Sequence, residues 1–369
     1  MKDYHDKNFA DVRKPFSMKI LARPQLYLLF SLFCVFLAGC VQEISDRNVT
    51  VKTSPNFNVS EGHFENTDGT ASEKSLTDLA GLARAYFSRP ADPNEVSGFK
   101  VLDPNNQPDS AKQVIWIGQS TLLVTINGMH ILTDPVFSDR ASPFRFAGPK
   151  RVVPPALTAE QMPKLTAILI SHNHYDHLDL PSLTELADRQ PETLFLVPIG
   201  LKSVLNNNGI INVVELDWWQ EARIEEVTFT ATPVRHWSSR SQFDRNKTLW
   251  AGWMARWPDY SFYFVGDSGY TEDFAITKQK LGAPDLAALP IGAYAPRNFM
   301  KDSHMTPEEA VQALEDMDAK RAIAVHWGTF KLTIEPLAEP PKRLQAELER
   351  RGLAADRFLA LTHGQKLPL

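Results

Sequence analysis

The 369-residue chain is short of cysteine, of long apolar runs and of basic stretches, and each shortage closes off a class of protein. Only Cys34 and Cys40 occur, both near the N-terminus. The body of the chain therefore has no disulfide framework and no thiol nucleophile, and any metal it binds must be held by histidine and carboxylate. The longest apolar run, Leu26–Leu37, falls short of the ~20 residues that cross a bilayer, which excludes a polytopic membrane protein. No Lys/Arg-rich segment is present downstream. With the six basic and three acidic residues of positions 1–39 set aside, 33 basic and 41 acidic residues remain, a net charge of -8. A nucleic-acid partner is excluded on those electrostatics. What is left is ordinary globular material, 43% hydrophobic and 22% charged, long enough to bury a full core without staples.

Lys19 and Arg23 precede the apolar run and small residues follow it, the pattern of a signal peptide. Its end, Leu37-Ala38-Gly39-Cys40, resembles the lipobox of bacterial lipoproteins, whose cysteine is acylated and becomes the first mature residue. This resemblance implies a signal over 1–39, with Met18 as an alternative start, and lipidation at Cys40. Val41 is not the Asp associated with inner-membrane retention, so a lipid-anchored place in the cell envelope is expected, on the outer membrane facing the periplasm. An uncleaved anchor is the alternative. Residues 41–72 are polar and read as a flexible tether. Ser75–Phe87 has a broad apolar helical face, stopped by Pro90 and Pro93. Residues 40–95 are thus expected to be a lipidated cysteine, a tether and a short helix, and 96–369 the main domain.

From about Gln113 the pattern changes. Val114–Ile117, Thr121–Ile126 and Met129–Thr133 read as strands, with Asn127-Gly128 as the hairpin turn between the last two. Strands are then expected at 165–171, 194–197, 227–232, 249–257, 261–265, 286–289, 321–325 and 358–361. Helices are expected at 180–189, 201–207, 274–281, 306–317 and 341–351. Antiparallel strands followed by alternation predict an α/β fold of sheets covered by helices.

His172-Asn173-His174-Tyr175-Asp176-His177 packs three histidines and one aspartate into six residues after a predicted strand. On a loop leaving a strand, residues two apart can point the same way, so His172 and His174 can face one metal while Asp176 and His177 turn to another. One segment cannot complete two metal shells. Three later positions, each following a predicted strand, can: His236, Asp267 beside Gly266 and Gly269, and His326.

The ordered set HxHxDH, His, Gly-Asp, His resembles the metallo-β-lactamase superfamily, whose fold is an αββα sandwich with two metals along one edge. By that resemblance His172, His174 and His236 hold the first metal, Asp176, His177 and His326 the second, and Asp267 bridges them. Many metallo-β-lactamases of the common zinc classes carry Cys where Asp267 stands. Further stretches narrow the likeness: Leu132-Thr133-Asp134-Pro135, Arg140-Ala141-Ser142-Pro143, Gly148-Pro149-Lys150-Arg151, Leu216-Asp217-Trp218-Trp219, Pro290-Ile291-Gly292-Ala293-Tyr294 and His326-Trp327-Gly328-Thr329-Phe330. They resemble the branch of N-acylphosphatidylethanolamine-hydrolysing phospholipases D and their bacterial RomA-like relatives, over about Gln113–Leu367. One departure is Gln119, where relatives usually have His.

The resemblance implies a catalytic domain with two zinc ions about 3.5–4 Å apart, a hydroxide held between them that attacks phosphorus, and release of N-acylethanolamine and phosphatidic acid. Asp267 would orient that nucleophile. His304 matches a histidine of these phospholipases; it is read either as a contact to phosphate or leaving alkoxide, or as a surface histidine before a helix. Tyr175 is a candidate substrate contact, and Asp134 a buttress to the ligands. Expected partners are a phospholipid or other phosphodiester and a membrane reached through the lipid anchor. Relatives suggest a homodimer. Two other readings stay open: another hydrolase of this fold (a lactonase or an ester/amide hydrolase), since the same ligand set serves carbonyl chemistry, and a non-catalytic envelope lipoprotein.

Overall fold

The computed structural model describes residues 41–44 (backbone only), 51–70, 81, 84 and 98–369. The signal segment and Cys40 lie outside the described residues, as does the helix expected over Ser75–Phe87 apart from residues 81 and 84, which are helical. Among the described residues no helix is long and apolar enough to cross a membrane.

The N-terminal part gives β1 (Val41–Ile44), β2 (Phe57–Asn58) and β3 (His63–Phe64). Then come β4 (Lys112–Gly118), β5 (Thr121–Ile126), β6 (Met129–Thr133) and β7 (Ala167–Leu169). Helix α1 (Leu180–Arg189), β8 (Leu194–Pro198), α2 (Leu201–Asn206) and β9 (Val213–Leu216) follow. The second half runs β10 (Glu221–Ile224), β11 (Val227–Thr232), β12 (Gly252–Arg256), β13 (Ser261–Phe264), α3 (Asp273–Leu281) and β14 (Leu286–Pro290). It ends with α4 (Arg297–Met300), α5 (Pro307–Asp316), β15 (Arg321–Val325), α6 (Glu339–Arg351), β16 (Phe358–Leu359) and β17 (Lys366–Pro368).

Two mixed sheets result. One has the order β17-β4-β5-β6-β7-β8-β9 and the other β1-β10-β11-β12-β13-β14-β15-β16. In each, the leading strands pair antiparallel and the trailing ones parallel. The period-2 pleat assigns the faces. Val114 and Trp116 point into the core between the sheets, while Ile115 and Ile117 join Leu183, Leu186, Leu201 and Leu205 under α1 and α2. Ala167 and Leu169 against Ile168 and Ile170 repeat the division. On the far side, Val311, Leu314, Leu344 and Leu348 of α5 and α6 cover the eight-stranded sheet. The expected αββα sandwich is the observed architecture. Asn127 and Gly128, with φ of 52° and 82°, make the hairpin turn, and Thr306 with Glu309 forms a capping box ahead of Pro307.

Six strands were not anticipated: β1, β2 and β3 lie in the stretch read as a tether, and β9, β10 and β17 are short, with charges (Glu215, Glu221 with Arg223, and Lys366) that mask their alternation. The tether expected over 41–72 is corrected at 41–44, where β1 pairs with β10, and over 51–70. The latter stretch forms a hairpin, with Phe57 paired to Phe64, and Phe64 is fully buried in the main core. Burying a phenylalanine contributes about 1.5–3 kcal/mol, enough to dock so short a segment. Residues 41–369 form one compact unit holding both cores and both sheets, which is what a separately folding domain requires.

Candidate metal centre

Every expected ligand sits just past the C-terminal end of a strand: His172 after β7, His236 after β11, Asp267 after β13 and His326 after β15. The exit of β7 is held between the sheets, because Ile170 O accepts from Trp253 Nε1 at 2.9 Å and Ser171 O from Ala251 N at 2.9 Å. His174 O then accepts from His177 N (3.1 Å) and Leu178 N (2.8 Å). That turn brings His177 back beside His172, their ring centroids 4.2 Å apart. Gly266 has φ of +66°, and a Cβ there would lie 2.5 Å from Ser171 Cβ, so only glycine lets the Asp267 loop close on the histidine loop.

The seven residues meet as two clusters. His172, His174 and His236 bring their donor atoms within 4.8 Å of one another, and so do Asp176, His177, Asp267 and His326. Asp267 Oδ2 lies 3.1 Å from both His177 Nε2 and His326 Nε2, and 3.8 Å from His236 Nε2. It stands between the clusters.

For His172, His177 and His236 the far side of the ring fixes which nitrogen faces inward. His236 Nδ1 donates to Ser303 O at 2.9 Å, leaving the Nε2 lone pair to the cluster. His177 Nδ1 donates to Asp134 Oδ2 at 2.7 Å. Asp134 also accepts from Ser171 N at 2.7 Å and Ser171 Oγ at 2.5 Å, and that hydroxyl lies 2.9 Å from His172 Nδ1. The fully buried Asp134 thus orients ligands of both clusters, the buttress read from the sequence.

Burial holds His172 well below the ordinary histidine range and brings His174 and His236 down to about 3, so all three are neutral at pH 7. In the other cluster burial also opposes charge, but Asp267 and Asp176 outweigh it. His177 is raised well above the ordinary range and His326 to about 9. Both carboxylates are held well below their ordinary range: burial opposes this, and His177 and His326 overcome it.

Metal fits this arrangement on the donor atoms alone. His172 Nε2 and His174 Nδ1 are 2.7 Å apart, two imidazole nitrogens in a dry pocket that only a shared cation or proton reconciles. His177 Nε2 and Asp267 Oδ1 are buried with no hydrogen-bond partner. Three neutral imidazoles beside a two-histidine, two-carboxylate set suit borderline divalent ions.

His304 is no surface histidine. It is buried, its Nδ1 has no hydrogen-bond partner, and that atom lies 3.9 Å from Asp267 Oδ2 on the edge of the centre. Burial lowers its pKa to about 3. Arg297 pins its loop by donating to His304 O (2.6 Å) while pairing with Glu309. Tyr175 spends its hydroxyl on Arg240 O at 3.0 Å, and the Arg240 guanidinium stacks 3.9 Å over its ring. Tyr175 lines a cavity of about 790 Å³ beside the metal-ligand cluster.

One residue escaped the sequence reading, and one was singled out there without a role. Asn66, on the docked N-terminal segment, accepts through Oδ1 from His236 N at 3.0 Å and Trp250 Nε1 at 3.2 Å. Gln119 donates from Nε2 to Asp176 Oδ2 at 2.9 Å, and its carbonyl accepts from His326 N at 3.0 Å. The one signal for Gln119 was its place where relatives carry histidine. Asn66, 170 residues before its partner, gave none.

These features define a class. The chain matches the family described as beta-lactamase superfamily domain over residues 129–327, and it belongs to the metallo-β-lactamase superfamily as a metal-dependent hydrolase. Within it the chain is similar to N-acyl-phosphatidylethanolamine-hydrolyzing phospholipase D 1 of Caenorhabditis elegans, 35% identical over 324 residues, 82% of this chain and 91% of that one. An uncharacterised protein of Mycobacterium tuberculosis is 40% identical over 309 residues, 80% of each chain. The isothiocyanate hydrolase from Delia radicum gut bacteria shares the fold, with a TM-score of 0.56 at 19% identity, over 70% of this chain and 98% of that one.

Proposed function

We propose that the protein is a zinc-dependent phosphodiesterase of phospholipase D type, cleaving N-acylphosphatidylethanolamine or a related phospholipid at a membrane surface. The observation that carries this reading is the likeness to the Caenorhabditis elegans phospholipase along nearly all of its length. His172, His174 and His236 would hold one zinc ion, Asp176, His177 and His326 a second, and Asp267 both. Bound there, the ions would supply positive charge to the phosphoryl oxygens and bring the pKa of a water molecule to about 7.

The chain's own residues account for the rest. Asp134 and Ser303 O keep the imidazoles in the ligating tautomer. Asp267, central to both clusters, orients the attacking water. His304, on the edge of the centre and held by Arg297, is placed to contact a phosphoryl oxygen. The water oxygen bonds to phosphorus, the P–O bond to N-acylethanolamine breaks, and the departing alkoxide takes up the proton that the attacking water gives up. The products are N-acylethanolamine and phosphatidic acid. Acylation at Cys40 would hold the enzyme in the cell envelope, on the outer membrane facing the periplasm, close to its substrate.

The test is product analysis. Zinc-loaded residues 41–369 are incubated with N-acylphosphatidylethanolamine micelles, with and without chelator, alongside lactones and a β-lactam. Chelator-sensitive release of N-acylethanolamine with phosphatidic acid is expected. Turnover of a lactone or β-lactam with no phospholipid cleavage contradicts the proposal and moves the reaction to a carbonyl carbon.

A further inference from the structure

All the exposed phenylalanines among the described residues lie on two neighbouring loops. Phe144 is 55%, Phe146 82% and Phe243 81% exposed. The first two stack with centroids 5.6 Å apart. Phe144, Arg145 and Arg140 share the 790 Å³ cavity with Arg240, three residues before Phe243, and with Tyr175 of the metal loop. The loops therefore form one rim beside the metal centre.

The phenylalanines are held outward by a built loop. Arg151 anchors its base, donating to Val136 O (2.6 Å) and Ser138 O (3.0 Å). Arg140 ties the tip, donating to Arg145 O (3.1 Å) and Gly148 O (2.7 Å). Gly148 has φ of +93°, and a Cβ there would strike Ser142 at 2.5 Å, so this tip needs glycine. Asp244 caps the second loop, accepting from Arg240 N and Ser241 N. Water-exposed aromatics on tied loops are unfavourable unless something covers them.

Charge says what covers them. With the buried Arg151 set aside, residues 137–150 carry Arg140, Arg145 and Lys150 against Asp139, residues 239–247 carry Arg240, Arg245 and Lys247 against Asp244, and Asp179 adds one further acid to the cavity. The rim is positive on a chain whose net charge is -5. A second copy meeting it across a two-fold axis would set like charge against like. An anionic bilayer satisfies both features, taking the rings at the headgroup boundary and the cations at the phosphates.

We propose that the rim of residues 137–151 and 239–247 is an interfacial docking surface that seats the domain on an anionic phospholipid bilayer, metal centre toward the lipid. This rests on the proposed lipid substrate and adds where and how the enzyme meets it. It also works without the N-terminal lipid, because the rim belongs to the folded unit.

The test uses metal-loaded residues 41–369 and sedimentation with phosphatidylglycerol/phosphatidylethanolamine vesicles. Binding is expected to be weaker to phosphatidylcholine alone and to fall with salt, since surface charge is screened within about 10 Å at 0.1 M. Each of F144S and F146S should weaken binding about 10-fold through lost apolar insertion, and R145E/K150E by a similar factor. The F144S/F146S protein should keep wild-type turnover of a short-chain N-acylphosphatidylethanolamine dispersed as monomers while losing turnover on vesicles. Equal vesicle affinity in wild type and variants overturns the docking surface, as does a wild-type dimer that F144S/F146S abolishes. Wild-type cleavage of dispersed lipid alongside either result leaves the phospholipase reading standing. Rim-dependent vesicle binding without any lipid cleavage supports the docking surface and defeats the phospholipase reading.

Discussion

Asp134 spends its two oxygens on Ser171 and His177, setting His177 directly and His172 through the Ser171 hydroxyl. Replacing it by Asn puts an amide donor where a carboxylate accepts. His177 Nδ1 must then accept, its proton moves to Nε2, and the lone pair that would ligate is lost. D134N should therefore lower affinity for metal at the Asp176–His177–His326 site about 10- to 100-fold with the fold retained. Metal content and circular dichroism measured together check this, and unchanged metal affinity would refute it. The two clusters also differ in protonation. Metal-free His326, raised to about 9, and His177, raised well above its ordinary value, carry protons at pH 7, whereas His174 and His236 at about 3 do not. A ligating nitrogen must lose its proton. Filling the carboxylate-bearing site should release protons at pH 7, and its affinity should rise with pH through about 9, where His326 loses its proton. Filling the three-histidine site should release none. Calorimetric titration in two buffers of different ionisation enthalpy measures both, and equal proton release from the two sites would contradict the assignment. At this scale the ligands were legible because metal chemistry confines them to few residue types at fixed spacings. The Ser303 carbonyl and Asn66 were not, because any residue has a carbonyl and Asn66 is a common residue in a polar stretch.

Among the elements, the N-terminal hairpin is the one whose role changed most between sequence and structure. Its polar composition hid two apolar anchors, Phe57 and Phe64, of which Phe64 is fully buried. Gly62, at φ 69°, closes the turn by donating its N–H to Asn58 O. Asn66 Oδ1 ties this element to His236, and Thr67 Oγ1 ties it to Asp273 Oδ2 at 2.8 Å. F64A should cost about 3–5 kcal/mol of stability in denaturant unfolding. N66A should leave the global fold intact but weaken metal binding at the three-histidine site, read by competition with a chromogenic chelator. Identical chelator competition curves would mean that Ser303 O alone suffices to hold His236. The longer strands and the helices were readable because each has a strong period and a clear cap or turn, as at Asn127-Gly128 and Thr306-Pro307. The short β9, β10 and β17 draw their stability from neighbours distant in sequence, β17 from β4 for instance, and carry too little pattern to be seen alone.

At the scale of the whole molecule, two sheets bring four strand ends from distant parts of the chain to one edge, and the metal centre, His304 and the aromatic rim gather there. The ordered motif gave the fold and the ligand set together, because that set is only useful on a scaffold that aligns those strand ends. The rim was not visible in the sequence, since three phenylalanines on two loops say nothing of their exposure. Fold and ligands alone leave phosphorus and carbonyl chemistry open. Hydrolysis of N-acylphosphatidylethanolamine in ¹⁸O-labelled water by the zinc-loaded protein separates them directly. The account predicts label in phosphatidic acid and none in N-acylethanolamine, because the water oxygen bonds to phosphorus. Label in a released fatty acid would contradict it.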